Sequence, residues 1–278
     1  MIRGWINLEG IELEDLRRNW YNQTFVLMEI AKVAKNREFA FIGAKHLKEH
    51  LPAIRCMKCY AIDYLKMNFE KFRFYQRDFN AYISVSSFHD FPMFSFNPEV
   101  RKKQLGDFFN LGGFEKSWAK YDFVMDIDNE DISKAHADAS KVKKVLDEFS
   151  VPYSLRFSGR RGFHFLVKDE LFFPLNTPNP EKVKIAYNIV KNMKEIEGIP
   201  SIDETIYDKE RLIKCPYTLT GENVCLPLTD EQFARFDVRK MNWAYVQMNF
   251  MLKNRGLLER DKLINFKGLI DTFGEDNE

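Results

Sequence analysis

The 278-residue chain is 45% hydrophobic, enough to bury a sizeable core as one large domain or two small ones. Its formal net charge of +1 leaves no global basic field of the kind that announces nucleic acid, although a compact site needs only a local basic patch. No stretch approaches the ~20 apolar residues of a membrane span, MIRGWINLEG lacks the apolar core of a secretory signal, and four cysteines are too few for a disulfide scaffold. The expected setting is intracellular: cytoplasmic or nucleoid-associated, or nuclear in a eukaryote.

Taken in chain order, residues from Leu13 to Ala34 read as helical, Arg37 to Ile42 (REFAFI) as a short strand, and Asn80 to Val85 (NAYISV) as another. FHDFPMFSFNPEV, from Phe88, is an aromatic, Pro-punctuated loop. Its rings offer stacking surfaces for a template strand, but core packing is the simpler use. In YDFVMDID the residues alternate, with Phe123, Met125 and Ile127 on one face and Asp122, Val124, Asp126 and Asp128 on the other. Residues Ile132 to Phe149 show helical periodicity, with Ala135, Ala139, Val142, Val145, Leu146 and Phe149 as the apolar stripe and lysines opposite. VPYSLRF and FHFLV form an antiparallel pair around a tight turn, and Glu181 to Ile196 forms a second helix. Ser201 to Leu228 is strand-and-turn material, and Asp230 to Phe273 is mostly helical, ending in the disordered-looking GEDNE. The order strand, helix, hairpin, helix, strand predicts an α+β sheet covered on one face by helices.

Three constellations carry chemistry. Asp126 and Asp128 sit at i and i+2 on a strand, on one face and roughly 6–7 Å apart. Carboxylates that close repel unless a cation lies between them, and magnesium or manganese takes such hard oxygen ligands. The plain alternative is a solvated strand end running into a capped helix. The turn Ser158, Gly159, Arg160, Arg161, Gly162 brings guanidinium forks and approachable backbone amides together, with His164 adding a donor. Beside a carboxylate metal site it is suited to a triphosphate. In IDETIYDKERLIKCPYTL, Asp203 supplies a third carboxylate, and Arg211 and Lys214 add positive charge. Together these are the parts of a two-metal phosphoryl transfer.

DID, SGRRGFH and D…RLIKCPYTL, in that order across residues 120–230, resemble the archaeo-eukaryotic primase superfamily, in particular the small catalytic subunit of DNA primase and its stand-alone relatives. NREFAFI, Asn36 to Ile42, is similar to a segment of the replicative catalytic subunit. The resemblance implies an α+β primase core, a mixed sheet with an RRM-like half flanked by helices, in a single catalytic domain over residues 1–278. Its N-terminal α/β part would be 1–115, its motif-bearing part 116–235 and its C-terminal helical part 236–278. It also implies two magnesium or manganese ions on Asp126, Asp128 and Asp203, with a nucleotide held by Ser158, Gly159, Arg160, Arg161, His164, Arg211 and Lys214. Glu38 matches a residue lying near the nucleotide in relatives. The implied partners are a single-stranded DNA template, nucleoside triphosphates and a primase large subunit, with no membrane.

Two departures stand out. Thr220 occupies a place where many members carry His, and no full four-ligand zinc insertion lies before the DxD strand in the usual order. His46, His50, Cys56 and Cys59 nonetheless read H-x3-H-x5-C-x2-C, a set able to bind structural zinc. The other reading of Cys56 to Tyr60 is a strand that turns Lys58 towards the site. Cys215 and Cys225 read as core thiols. The basic run Arg101, Lys102, Lys103 and the helix lysines Lys141, Lys143 and Lys144 are either nucleic-acid contacts or solvated faces. Primer synthesis is the expected activity. An end-joining or gap-filling repair polymerase shares every motif, and an inactive nucleic-acid-binding accessory subunit would have no need of three carboxylates.

Overall fold

The computed structural model describes residues 13–43, 54–59, 61–72, 74, 79–95 and 97–254, which are organised around two antiparallel sheets. Helices α1 (Leu13–Tyr21) and α2 (Thr24–Ala34) replace the single helical stretch expected there, with the break at Asn22 and Gln23. Val26, Leu27, Ile30 and Ala34 are spaced three or four apart and buried. Next come β1 (Arg37–Gly43), β2 (Ile54–Lys58), α3 (Ile62–Lys71) and β3 (Phe79–Phe88). Helices α4 (Pro98–Asn110) and α5 (Gly113–Ser117) then lead into β4 (Trp118–Tyr121). The first sheet runs β2-β1-β3-β4. Phe88, Phe91 and Phe94 of the aromatic loop are buried and meet Phe108 and Phe114 edge-on or tilted. They are core, not stacking platforms. The loop also ends earlier than expected, because the Asn97 side chain caps the amides of Glu99 and Val100 and proline opens the helix.

The second half contains β5 (Phe123–Asp128), α6 (Ile132–Glu148), β6 (Ser154–Phe157), β7 (Gly162–Val167), α7 (Asp169–Phe172) and α8 (Asn179–Ile196). It continues through the short strands β8 (Leu212–Lys214), β9 (Leu219–Thr220), β10 (Asn223–Val224) and β11 (Pro227–Leu228) to α9 (Asp230–Ala234) and α10 (Trp243–Asn254). The second sheet runs β11-β6-β7-β5. Phe123, Met125 and Ile127 are fully buried, and Ala135, Ala139, Val142 and Leu146 of α6 are buried with them in one core. Phe149 departs from the expected stripe. It is the C-cap of α6 and 77% exposed. The lysines of α6 pair with acids of the same helix, Lys141 with Asp138, Lys143 with Asp147 and Lys144 with Glu148, as a solvated face does. Of the helical expectation for 230–273, the part beyond residue 254 lies outside the described residues.

Two features tie the sheets together. Strand β8 leaves the second half and pairs with β3 of the first sheet, Tyr82 opposite Lys214 and Ile83 opposite Ile213. Beneath it, Arg37 of β1 donates to the carbonyls of Ser84 and Val85, at 2.8 and 2.6 Å, and ion-pairs with Asp122 just before β5. Asp122 also accepts from the Asp169 amide at 3.0 Å, and Asp169 is held by Lys182 at 2.7 Å. Breaking a buried pair strands the other charge, so Asp122→Ala should destabilise the fold by about 3–5 kcal/mol, read by chemical denaturation. A loss within experimental error would show that the pair does not couple the sheets.

Candidate active site

The two sheets wall a cleft of about 970 Å³. Because the odd-numbered residues of β5 are buried in the core, Asp126 and Asp128 are free to line that cleft. The antiparallel register sets Asp126 opposite His164 and Asp128 opposite Gly162 on β7. A Cβ at Gly162 would lie 2.0 Å from the Ile127 carbonyl oxygen, so only glycine lets the turn pass this close to β5. Along the other edge of β5, the Asp128 amide donates to Ser201 O and the Asp203 amide to Asp126 O, both at 2.9 Å. Asp203 thereby joins the other two carboxylates on the cleft wall.

The turn closes with the Ser158 amide donating to Gly162 O at 2.9 Å, and Gly159 takes φ +86°, a left-handed conformation. A Cβ on Gly159 would also press Thr220 Oγ1 at 3.0 Å. Ser158, Arg160 and Arg161 all line the cleft, with Arg160 exposed. Arg161 is engaged elsewhere: its Nε and Nη2 grip both oxygens of Asp128 at 2.8 Å. Arg211 lies 3.8 Å from Asp203, whose Oδ1 also accepts from the Thr205 amide and hydroxyl. Lys214, carried by β8, crosses from the first sheet to donate to Ser158 O at 3.1 Å. The ten carboxylate, turn and cation residues expected at the site line one cleft, whereas Glu38, also expected near the nucleotide, is buried and is not on the lining.

Electrostatics follow from this crowding. Burial pushes the Asp126 carboxyl up to about 6; Asp128 and Asp203 push it the same way, and Arg211 opposes them. Burial lowers the Lys214 ammonium from its ordinary value. Burial, and then Arg156, hold the His164 imidazole well below its usual range. Three hard-oxygen donors with one carboxyl strained toward neutrality fit a divalent cation chemically. Among the described residues, no group of three His, Cys, Asp or Glu side chains is already set around a metal position. Arg161 covers Asp128, and Thr205 donates to Asp203.

Other expectations resolve differently. Lys58 ion-pairs with Asp90 at 2.7 Å instead of reaching the site. Of the zinc set, His46, His50 and the Cys56 side chain lie outside the described residues, while Cys59 is buried with its thiol pushed up to about 12. Cys215 and Cys225 are buried thiols, as expected. Sequence reasoning missed Arg55, which lines the cleft and is held by a buried Glu38 at 2.8 and 3.0 Å. The available signal was Glu38 itself, an acid within the strand REFAFI. Its partner on β2 depends on strand pairing that local pattern does not reveal.

No protein-family model matches the chain, and no curated protein matches it by sequence. Among solved structures, the polymerase domain of Mycobacterium tuberculosis ligase D in complex with DNA is similar in fold. The TM-score is 0.56, with 11% identity over 87% of this chain and 89% of that one.

The Asp126 carboxyl ionises near 3.8 in an unfolded chain and near 6 here. The folded state thus holds its proton more tightly, and stability falls as pH rises through that window. Asp126→Asn should raise the melting temperature of the metal-free protein at pH 7–8 by a few degrees, with the gain fading below pH 4. Equal melting curves at both pH values would remove the strained carboxyl from the account.

Proposed function

We propose that the chain is a template-directed nucleotidyltransferase of the primase-polymerase class, joining nucleoside triphosphates to a 3′-hydroxyl on single-stranded DNA. The observation that carries this reading is convergence: three motifs, 25 or more residues apart, supply carboxylates and cations to one cleft. The fold likeness to a polymerase domain is in keeping with it.

In this mechanism Asp126, Asp128 and Asp203 would hold two magnesium or manganese ions. When bound, these supply Lewis-acid activation of the 3′-hydroxyl and charge for the departing pyrophosphate. The chain's own groups do the rest. Arg160 and Lys214 neutralise the triphosphate, and the Ser158–Gly159 turn presents hydroxyl and amide donors at short range. Arg55, braced by Glu38, adds a guanidinium from the opposite sheet. The 3′-oxygen bonds to the α-phosphorus as the bond to the bridging oxygen of the β-phosphate breaks, and pyrophosphate leaves.

A second reading has a specific observation behind it. The structural neighbour is the polymerase domain of a ligase, so gap-filling or end-joining repair synthesis is supported as well as primer synthesis. Initiation needs two triphosphates at once, and the sequence carries one Gly-Arg turn. The isolated chain should therefore extend primers far faster than it forms dinucleotides, and a tethering partner, such as a primase large subunit, should narrow the gap. Labelled ribo- and deoxynucleotides with manganese on unprimed, primed and gapped DNA decide this. Dinucleotide formation as fast as extension would favour a self-sufficient primase, and no incorporation on any template would favour a binding subunit.

Asp126→Ala and Asp128→Ala should each cut incorporation by at least about a hundredfold, and a chelator should do the same to the parent protein. Arg160→Ala should weaken triphosphate binding more than DNA binding. Near-normal rates in either aspartate variant would overturn the site, and equal loss of both affinities would make the turn part of a DNA groove.

A further inference from the structure

The tandem arginines of the Ser158–Gly162 turn are held in different ways. Arg160 is exposed on the cleft wall, with no carboxylate at ion-pair distance among the described residues. Arg161 lies across the end of β5. Its Nε and Nη2 donate to Asp128 Oδ1 and Oδ2, both at 2.8 Å, and its Nη1 is 3.9 Å from Glu130. The Arg161 backbone is pinned there too: the Asn129 amide donates to its carbonyl at 3.3 Å, and Gly162 beside it runs against the Ile127 carbonyl. Only the side chain has freedom to leave. The Arg161 and Asp128 side chains are 39% and 40% exposed, and a pair so open to water is weak enough to exchange partners. Both Asp128 oxygens face the guanidinium, so a cation on either one sits against a positive group. A phosphate offers the fork the same bidentate geometry as the carboxylate, and Ser158, Gly159, Arg160 and Lys214 share the wall with Arg161.

We propose that Arg161 is a latch that couples polyphosphate binding to cation binding. While it grips Asp128 it competes with a divalent cation, and a phosphate group in the turn, by taking the guanidinium, releases Asp128 for that cation. This rests on the nucleotide-transfer reading above and adds an order to it: the carboxylate set is completed when the triphosphate arrives. The two arginines then have separate duties. Arg160 attracts the anion, and Arg161 transmits its arrival to the carboxylates. Arg211 stands 3.8 Å from Asp203, and Lys214 donates to the Ser158 carbonyl, so among the described residues Arg161 alone holds a site carboxylate by both oxygens. Linkage makes the coupling reciprocal, since the anion must tighten the cation by the same factor as the cation tightens the anion. The strength of an exposed bidentate pair sets that factor at about fivefold.

Manganese titrations of the nucleotide-free protein, followed by loss of the free ion's paramagnetic resonance signal, test the competition. Arg161→Met removes the competitor and should tighten manganese about fivefold. Arg160→Met makes the same charge change one residue away and should tighten it less than about twofold, because an exposed charge acts only through screened solvent. Arg161→Lys, which keeps the charge and loses the fork, should fall between wild type and Arg161→Met. The reciprocal arm measures a fluorescent, non-hydrolysable nucleoside triphosphate in chelator. Asp128→Asn frees Arg161, so it should raise that affinity about fivefold more in the wild-type background than in Arg161→Met. Equal manganese affinities for the two methionine variants, or the same gain from Asp128→Asn in both backgrounds, would overturn the latch. No manganese binding by any form would overturn it together with the metal site. A protein that shows both effects and incorporates no nucleotide would refute the polymerase reading alone.

Discussion

Backbone hydrogen bonds on both edges of β5 are the constraint on which the site depends. On one edge, β7 pairs with β5 along its whole length, which sets His164 beside Asp126 and Gly162 beside Asp128. On the other, the segment Ser201–Asp203 makes a short antiparallel bridge that delivers the third carboxylate. A one-residue slip of either edge would turn one set of groups toward the helices and leave the other facing the cleft. Ladder bonds that stabilise the sheet therefore also position the chemistry.

Three acids gathered on one wall repel each other, and the rest of the molecule is arranged around that cost. Arg161 and Arg211 lie on Asp128 and Asp203, while burial first, and the two neighbouring carboxylates after it, raise the Asp126 carboxyl. At the foot of the same strand, Asp122 is anchored by Arg37 from the opposite sheet. The third motif strengthens this junction: after Asp203 the chain crosses to pair with β3, so Lys214 reaches Ser158 from the far wall. Acids thus sit at the cleft end of β5, and a buried ion pair is made by the residue just before its first.

Most of this second sheet was legible in the sequence because its signals are local. The alternation in YDFVMDID, the three-four spacing from Ala135 to Leu146 and the Gly-flanked turn each depend on near neighbours. The convergence of Asp126, Ser158, His164, Asp203 and Lys214 followed from motif order and was found in one cleft. What was not legible depends on distant pairing. Nothing local shows that Leu212–Lys214 joins the other sheet, that Arg55 meets Glu38, or that Arg161 grips Asp128. Phe149 matched the helical stripe yet stands exposed at the end of α6, since periodicity does not say where the covering core stops. The helix at Pro98 had a readable Asn-Pro start, hidden within an aromatic segment read as loop.

The central claim is that one cleft between the sheets holds metal and triphosphate together. Crystals grown with manganese and a non-hydrolysable nucleoside triphosphate test it most directly, through anomalous scattering at the manganese edge. The account predicts anomalous peaks among Asp126, Asp128 and Asp203, phosphates against the Ser158–Arg161 turn and Lys214, and Arg161 released from Asp128. A triphosphate bound elsewhere, or bound in this cleft with no metal on the three aspartates, would contradict it.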